Sequence, residues 1–163
     1  MVVCFDKRPE TSLELTKNNL QKTTMQNLNL QDFPLQSFDK LRYADTDRQG
    51  HVNNAVFSTF LETGRVEFLF GAKKIFSADC SFVVAAIELK LLAEINWPGQ
   101  VDIGTGIARI GNSSIRIFQK LFQDGKTVAI SESVIVHVSN AGTGSVPLSE
   151  EAKVALEQWV LST

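Results

Sequence analysis

The sequence has few of the residues that mark several protein classes. Its 163 residues include two cysteines, Cys4 and Cys80, which are too few and too far apart for a disulfide framework or a paired-cysteine metal site. No apolar run approaches the roughly 20 residues that span a bilayer. The apolar start Met1–Phe5 is too short for the core of a signal peptide. These absences predict a cytoplasmic protein with no membrane partner and no metal site.

The chain also lacks an excess of charge of either sign. Sixteen Lys and Arg residues face 18 Asp and Glu residues, which gives a formal net charge of −2. A nucleic-acid-binding surface normally carries a clear basic excess, so we expect no nucleic-acid partner. The hydrophobic fraction of 44% is ample for one packed core. The sequence therefore predicts a globular domain.

The chain divides into a polar start and a patterned remainder. Residues 1–36 are rich in Thr, Asn and Gln, and their scattered leucines form no helical stripe. We interpret residues 1–36 as a weakly ordered N-terminal extension and residues 37–163 as the folded domain. Deletion of residues 1–24 is therefore expected to change folding and activity little.

The folded part reads as a strand, a long apolar helix, four strands and a terminal helix. The helix is predicted over about residues 54–70, with Asn53 as its N-cap and Gly71 following its last turn. Asp124–Gly125 is a strong hairpin signal between two of the strands. This order predicts an α+β fold in which one antiparallel sheet wraps around a long central helix. The sheet edge and its apolar faces then need a partner, so we expect at least a homodimer.

The segment Arg42–Val56 concentrates the chemically useful residues just ahead of the predicted helix. A helix N-terminus presents unpaired backbone N–H groups that can stabilise an oxyanion. A carboxylate beside it, Asp47, can act as a nucleophile or as a general base on water. From the residues alone, the competing interpretation is that Asp45, Thr46 and Asp47 only cap and turn the chain.

This segment, continued through Phe57 and Arg65, resembles the 4-hydroxybenzoyl-CoA thioesterase family of acyl-CoA thioester hydrolases. The family signature reads roughly Tyr-x-(Asp/Glu)-Thr-Asp-x-x-Gly-His-Val-Asn-Asn, followed by a helix with an aromatic residue and Glu-x-x-Arg. The resemblance implies a hotdog fold, a dimer or a dimer of dimers, and hydrolysis of acyl-CoA without a metal or an organic cofactor.

The same resemblance implies roles for individual residues. Asp47 matches the catalytic carboxylate, and the backbone N–H of Asn54 matches the group that polarises the thioester carbonyl. Gly50 matches a glycine that lets the chain approach the substrate, and His51 matches a common but not universal histidine. Asp45 is expected to order the loop. The pair Glu62 and Arg65 is expected to form an ion pair within the helix, because the residues lie three apart.

Substrate-binding residues are harder to assign from the sequence. Some family members hold the CoA phosphates with a basic cluster at the turn between the third and fourth strands, but this chain has a glycine, an asparagine and two serines there. An acyl-carrier-protein substrate therefore stays open beside acyl-CoA. The candidate substrate-binding residues are Asn53, Phe57, Arg109, Ser113 and Ser114.

Two other functions remain as alternatives. A hydratase or dehydratase on the same fold would use a histidine and a carboxylate as an acid–base pair, and His51 keeps that alternative open. A non-catalytic acyl-CoA-binding module would not need Asp47.

Overall fold

A computed structural model describes residues 24–72, 75–142 and 144–162. Five antiparallel strands form one sheet in the order β1-β3-β4-β5-β2, and one long helix packs on its inner face. This is the predicted α+β hotdog architecture, although the helix has only 16 residues. The elements are β1 (Leu35–Lys40), α1 (Val56–Gly71), β2 (Cys80–Leu91), β3 (Gln100–Ile110), β4 (Ser114–Gln123), β5 (Lys126–Ser139) and α2 (Glu150–Leu156).

The β4–β5 hairpin shows how local sequence fixes the register of the sheet. Asp124 and Gly125 both have positive φ, 50° and 75°, as a two-residue hairpin turn with the right-handed twist of the strands requires. Gln123 and Lys126 pair across this turn. A β-bulge between Phe122 and Leu121 then shifts the register by one residue, so that Leu121 pairs with Ala129 and Gln119 with Ser131, all on one face. That inner face lies under α1.

Helix α1 lies over β1, β3 and β4 rather than over the whole sheet. Its core contacts include Phe57, Phe60 and Leu61, which are almost fully buried with Ile103 and Leu121. On one side, Thr63 Oγ1 donates a hydrogen bond of 3.1 Å to Asp39 Oδ2 on β1. The helix position leaves much of the inner face of β2 uncovered, where the large apolar side chains are Val84, Ile87 and Leu91, at 50%, 44% and 43% exposure.

Both predicted helix boundaries need correction. Asn53 is not the N-cap, since α1 begins at Val56 and Ala55 occupies the cap position. The Asn53 side chain instead accepts a hydrogen bond from the Ala55 N–H at 3.0 Å, which makes a local turn before the helix. Gly71 does not follow the helix but is its last residue, and Ala72 closes the helix in a right-handed conformation.

The described part of the N-terminal region packs on the outer face of the sheet. Met25 and Phe33 are buried in a cluster with Phe118 and Phe122 of β4. The buried Lys120 donates from Nζ to two backbone carbonyls of this region, Gln26 O at 3.0 Å and Leu28 O at 2.7 Å. We call residues 24–34 the N-terminal cap. The expectation of weak order over residues 1–36 therefore does not describe residues 24–36, and residues 1–23 lie outside the described residues.

Lys120 is placed in an environment that disfavours its charge. Burial lowers the pKa of the Lys120 ammonium, and the nearby Asp32 charge partly opposes that effect. The two carbonyl acceptors replace some of the lost hydration.

No helix within the described ranges is long and apolar enough to cross a membrane.

Candidate active site

The loop that carries Asp47 is a small, internally bonded turn. The Asp47 N–H donates to His51 O at 2.7 Å, and the Gly50 N–H donates to Asp47 O at 3.1 Å. Gly50 has a φ of 87°, which strongly favours glycine. A Cβ at Gly50 would meet no protein atom within 4 Å, so backbone conformation is the observed reason for the glycine. The close approach of Gly50 to a substrate stays a prediction.

One oxygen of the Asp47 carboxylate organises the turn. Oδ1 accepts hydrogen bonds from the Gln49 N–H at 2.7 Å and from the His51 N–H at 3.3 Å. The second oxygen, Oδ2, has no hydrogen-bond partner within the described residues. The side chain is exposed. The loop thus fixes the carboxylate through one oxygen and leaves the other oxygen available to water or a ligand.

Asp45 has a structural role in the same loop, as expected. It is buried, and its carboxylate accepts a hydrogen bond of 2.7 Å from the Arg42 N–H. The Arg42 guanidinium also forms an ion pair with Asp45, with Nε 3.3 Å from Oδ1. The Asn53 N–H donates to the backbone carbonyl of Asp45 at 2.9 Å. These contacts connect the start of the loop to the residues just before α1.

The Asn54 N–H lies immediately before Ala55, the cap residue of α1. The neighbouring Val56 N–H donates to Asn53 O at 2.9 Å, and the Ala55 N–H donates to the Asn53 side chain. In the part of the chain that the structure describes, the Asn54 N–H itself has no acceptor. Although Asn54 precedes the cap residue, it lies next to the helix N-terminus, whose partial positive charge attracts anions.

His51 connects the Asp47 loop to the segment that follows β2. Its Nε2 lies 3.2 Å from Glu94 Oε2. The backbone of His51 forms a bridge with Asn96, and the Val52 N–H donates to Ile95 O at 2.9 Å. This contact brings together two segments that are more than forty residues apart in the sequence. Glu94 was not a predicted site residue, because no local pattern around it indicates the contact.

Asp47 and Asn54 open onto the same cleft, which has a volume of about 480 Å³. His51 and Phe57 also line it, so four of the predicted site residues share one cavity. The opposite wall comes from the end of β2 and the residues after it, which sequence reasoning did not assign. The further lining residues are Gln49, Val52, Leu91, Leu92, Ala93 and Glu94.

The remaining predicted substrate-binding residues lie elsewhere. Asn53 belongs to the turn before α1 and does not line the cleft. Arg109, Ser113 and Ser114 lie at the β3–β4 hairpin, whereas β3 starts beside the Asp47 loop. An eleven-residue strand is about 33 Å long at about 3.3 Å per residue. The β3–β4 hairpin therefore does not reach the Asp47 cleft within one chain.

Arg65 does not form the expected ion pair with Glu62. Its guanidinium is buried, and Nη1 donates to Gln119 Oε1 on β4 at 3.3 Å. Gln119 Nε2 donates in turn to Leu61 O and to Thr105 Oγ1, both at 3.0 Å. Burial lowers the pKa of Arg65, and the nearby Glu62 charge opposes that shift. Arg65 therefore points from α1 towards the sheet, and its hydrogen bond to Gln119 helps attach the helix to the sheet.

The comparisons with known proteins agree with this geometry. A family model described as the thioesterase-like superfamily matches residues 41–157. The chain belongs to the thioesterase-like superfamily. The match spans the Asp47 loop, α1 and all of β2 to β5. A search of curated proteins gives no match.

Solved structures support the same fold. A predicted thioesterase from Bacillus stearothermophilus is 28% identical, with a TM-score of 0.70 over 79% of this chain and 98% of that chain. A Thermus thermophilus thioesterase complexed with coenzyme A and Zn is also 28% identical, with a TM-score of 0.67 over 77% of this chain and 93% of that chain. A Pseudomonas aeruginosa protein at 24% identity has a TM-score of 0.73 over 83% and 97% of the two chains.

Proposed function

We propose that this superfamily member is an acyl-CoA thioesterase that hydrolyses its substrate with Asp47. The observation that carries the proposal is that Asp47 and the N–H of Asn54 share one cleft, where neither Asp47 Oδ2 nor that N–H has a hydrogen-bond partner among the described residues. Two similar structures bear the name thioesterase, and one of them contains coenzyme A, which supports a CoA thioester as the substrate.

The arrangement suits thioester hydrolysis in the following way. The Asn54 N–H donates to the thioester oxygen and stabilises the negative charge that forms there as the carbonyl is attacked. Asp47 attacks the carbonyl carbon directly, or removes a proton from an attacking water. The CoA thiolate then leaves. If Asp47 attacks, water hydrolyses the resulting anhydride; on either route the free acid is released.

We also propose that the active enzyme is a homodimer that pairs through β2. This strand is twelve residues long, lies at the sheet edge, and has the exposed side chains Val83 and Val84 at 37% and 50% exposure. An unpaired edge with apolar side chains favours pairing with a second copy. Antiparallel pairing of two β2 strands turns the partner's β3–β4 hairpin towards the Asp47 end, which allows Arg109, Ser113 and Ser114 to bind the CoA phosphates across the interface.

A mixing experiment tests the shared site. We expect Asp47→Asn to be inactive and Arg109→Ala to have a raised KM for acyl-CoA. If each site uses Asp47 from one protomer and Arg109 from the other, mixed dimers contain one site with both residues intact and one site lacking both. Refolding the two variants together should then restore part of the wild-type kcat/KM. Recovery no greater than the sum of the two separate variants would contradict a shared site.

The His51–Glu94 contact of 3.2 Å favours a second candidate, a hydratase or dehydratase. A histidine paired with a carboxylate is suited to moving a proton to or from an acyl chain. A panel of acyl-CoAs of different length, together with enoyl-CoAs and acyl-carrier protein, separates the candidates. Thiol release supports the thioesterase, and loss of enoyl absorbance without thiol release supports the hydratase. Binding without either reaction would indicate a non-catalytic acyl-CoA-binding module.

A further inference from the structure

Unpaired polar atoms concentrate along one strand of the sheet. Within the described residues, four buried side-chain atoms lack a hydrogen-bond partner, and three of them belong to β5: Ser131 Oγ, Ser133 Oγ and His137 Nε2. The fourth is Ser37 Oγ on β1. Burying a hydroxyl without a partner is unfavourable by more than the net value of a typical hydrogen bond. Such a row is therefore the kind of feature that a bound polar group would satisfy.

The strand register places the two serines on the inner face of the sheet. Ser131 pairs with Gln119 of β4 and with Leu89 of β2, and Ser133 pairs with Ile87. Gln119 contacts the backbone of α1, which identifies this face as the one under the helix. Both serines are 1% exposed, whereas their β2 neighbours are less buried: Leu89 is partly buried and Ile87 is 44% exposed. The serines thus lie beside the part of the inner face that α1 does not cover.

The row also starts next to the Asp47 cleft. Leu91 lines the cleft and pairs with Ala129, two residues before Ser131 on β5. At about 3.3 Å per residue, Ser131 is about 7 Å beyond that point and Ser133 about 13 Å beyond it. An apolar acyl chain held at Asp47 would follow the exposed side chains Leu91 and Ile87 along β2, and would pass both serines.

We propose that Ser131 and Ser133 select acyl groups that carry a hydroxyl several carbons from the thioester carbonyl. This inference rests on the proposed function, because it uses Asp47 to fix the position of the carbonyl. A serine hydroxyl both donates and accepts, and so matches another hydroxyl. An unsubstituted alkyl chain would leave the two serines unpaired. The acyl chain reaches them by displacing the side chains of Leu91 and Ile87, which are 43% and 44% exposed.

The test compares hexanoyl-, octanoyl- and decanoyl-CoA with their ω-hydroxy counterparts. For at least one chain length, wild-type kcat/KM should be higher for the hydroxylated substrate, by about 2- to 10-fold for each hydrogen bond gained. Ser131→Ala with Ser133→Ala should reduce that ratio to about one. Ser37→Ala removes the matching unpaired hydroxyl on β1, which two strands separate from β5, and should leave the ratio at the wild-type value.

Binding measurements keep the two proposals separate. Thioether analogues of the same acyl-CoAs are not hydrolysed, and calorimetry gives their Kd for the wild-type protein. A tighter Kd for a hydroxylated analogue supports the serine site even if no thioester is hydrolysed, a result that would reject the thioesterase alone. Equal or weaker binding of every hydroxylated analogue overturns the serine site, whatever the hydrolytic rate. A hydroxyl preference that survives the double alanine variant overturns it as well, with circular dichroism confirming that the variant is folded.

Discussion

Gln119 is a single buried residue that joins helix α1 to the sheet through polar contacts. It accepts from Arg65 and donates to Leu61 O and Thr105 Oγ1. Gln119→Leu leaves the buried guanidinium without this acceptor, so we expect the free energy of unfolding to fall by about 2–3 kcal/mol. Gln123→Leu is the matched control, because Gln123 bonds the exposed Asn96 backbone and its loss should cost about 1 kcal/mol. Urea unfolding of both variants measures the difference, and equal losses would contradict the role of burial.

Two glycines of α1 give a sharper comparison. A Cβ on Gly64 would lie 2.5 Å from Thr105 Oγ1, whereas on Gly71 the nearest atom would be Trp159 Cζ2 at 3.9 Å. Gly64→Ala should therefore destabilise the protein by about 1–3 kcal/mol through overpacking. Gly71→Ala should be neutral or stabilising by up to about 1 kcal/mol, because alanine favours helix. Thermal unfolding of the two variants tests this, and two stabilised variants would show that α1 does not approach the sheet so closely.

Sequence reasoning is least reliable for long side chains on a helix. Spacing puts Glu62 and Arg65 on one face, which favours an ion pair. The Arg65 side chain instead reaches Gln119, 54 residues further along the chain. No local pattern specifies which of the two partners an arginine will take. The outcome depends on how deeply α1 lies on the sheet at Gly64.

At the scale of elements, the N-terminal cap covers apolar surface on β4. It buries Phe118 and Phe122 beneath Met25 and Phe33. Lys120 of β4 donates hydrogen bonds to two backbone carbonyls of the N-terminal cap. Deletion of residues 1–23 leaves these contacts intact and should change the thermal midpoint little. Deletion of residues 1–33 exposes both β4 phenylalanines and should lower the midpoint by several degrees. Equal midpoints for the two deletions would mean that the cap contributes nothing to stability.

The elements themselves were largely predictable. Turn signals such as Asp124–Gly125 mark strand ends directly, because few residue types adopt the positive φ that both turn positions require. The start of α1 was misplaced by two residues because Asn53 bonds the Ala55 N–H in a turn, a local motif that resembles a helix cap in sequence. The packing of the N-terminal cap is not predictable from the sequence, because its apolar residues follow no periodic pattern. It is held by contacts with β4, and by Leu161 near the far end of the chain.

At the scale of the whole molecule, the proposed dimer depends on the exposed edge and face of β2. Val84→Lys places a charge where a second copy would bury it, and the side chain is already half exposed in one protomer. We expect this variant to stay folded and to be monomeric at micromolar concentration. Val154→Lys on α2, where the side chain is 73% exposed, should remain dimeric. Light scattering measures both masses, and a wild-type mass near 18.0 kDa would contradict the dimer itself.

One wall of the candidate site was accessible from the sequence. The Asp47 loop and the start of α1 are contiguous in the chain, so a motif can represent them. The other wall, with Leu91 and Glu94, joins the cleft through the pairing of His51 with Asn96. Contacts of this kind depend on the fold, and no spacing of residues in the sequence predicts them. The long distance from the cleft to Arg109 likewise follows from the direction of β3.

The most direct test of the account is the kcat of Asp47→Asn with acyl-CoA. Asparagine keeps the Oδ1 acceptor that organises the loop and removes the charge that attacks the thioester or activates water. We expect a fall in kcat of about 10²- to 10⁴-fold with the fold intact. Asp45→Asn, at the buried structural carboxylate, should lower stability and cost much less activity. Wild-type kcat in Asp47→Asn would contradict the central claim that this carboxylate performs the hydrolysis.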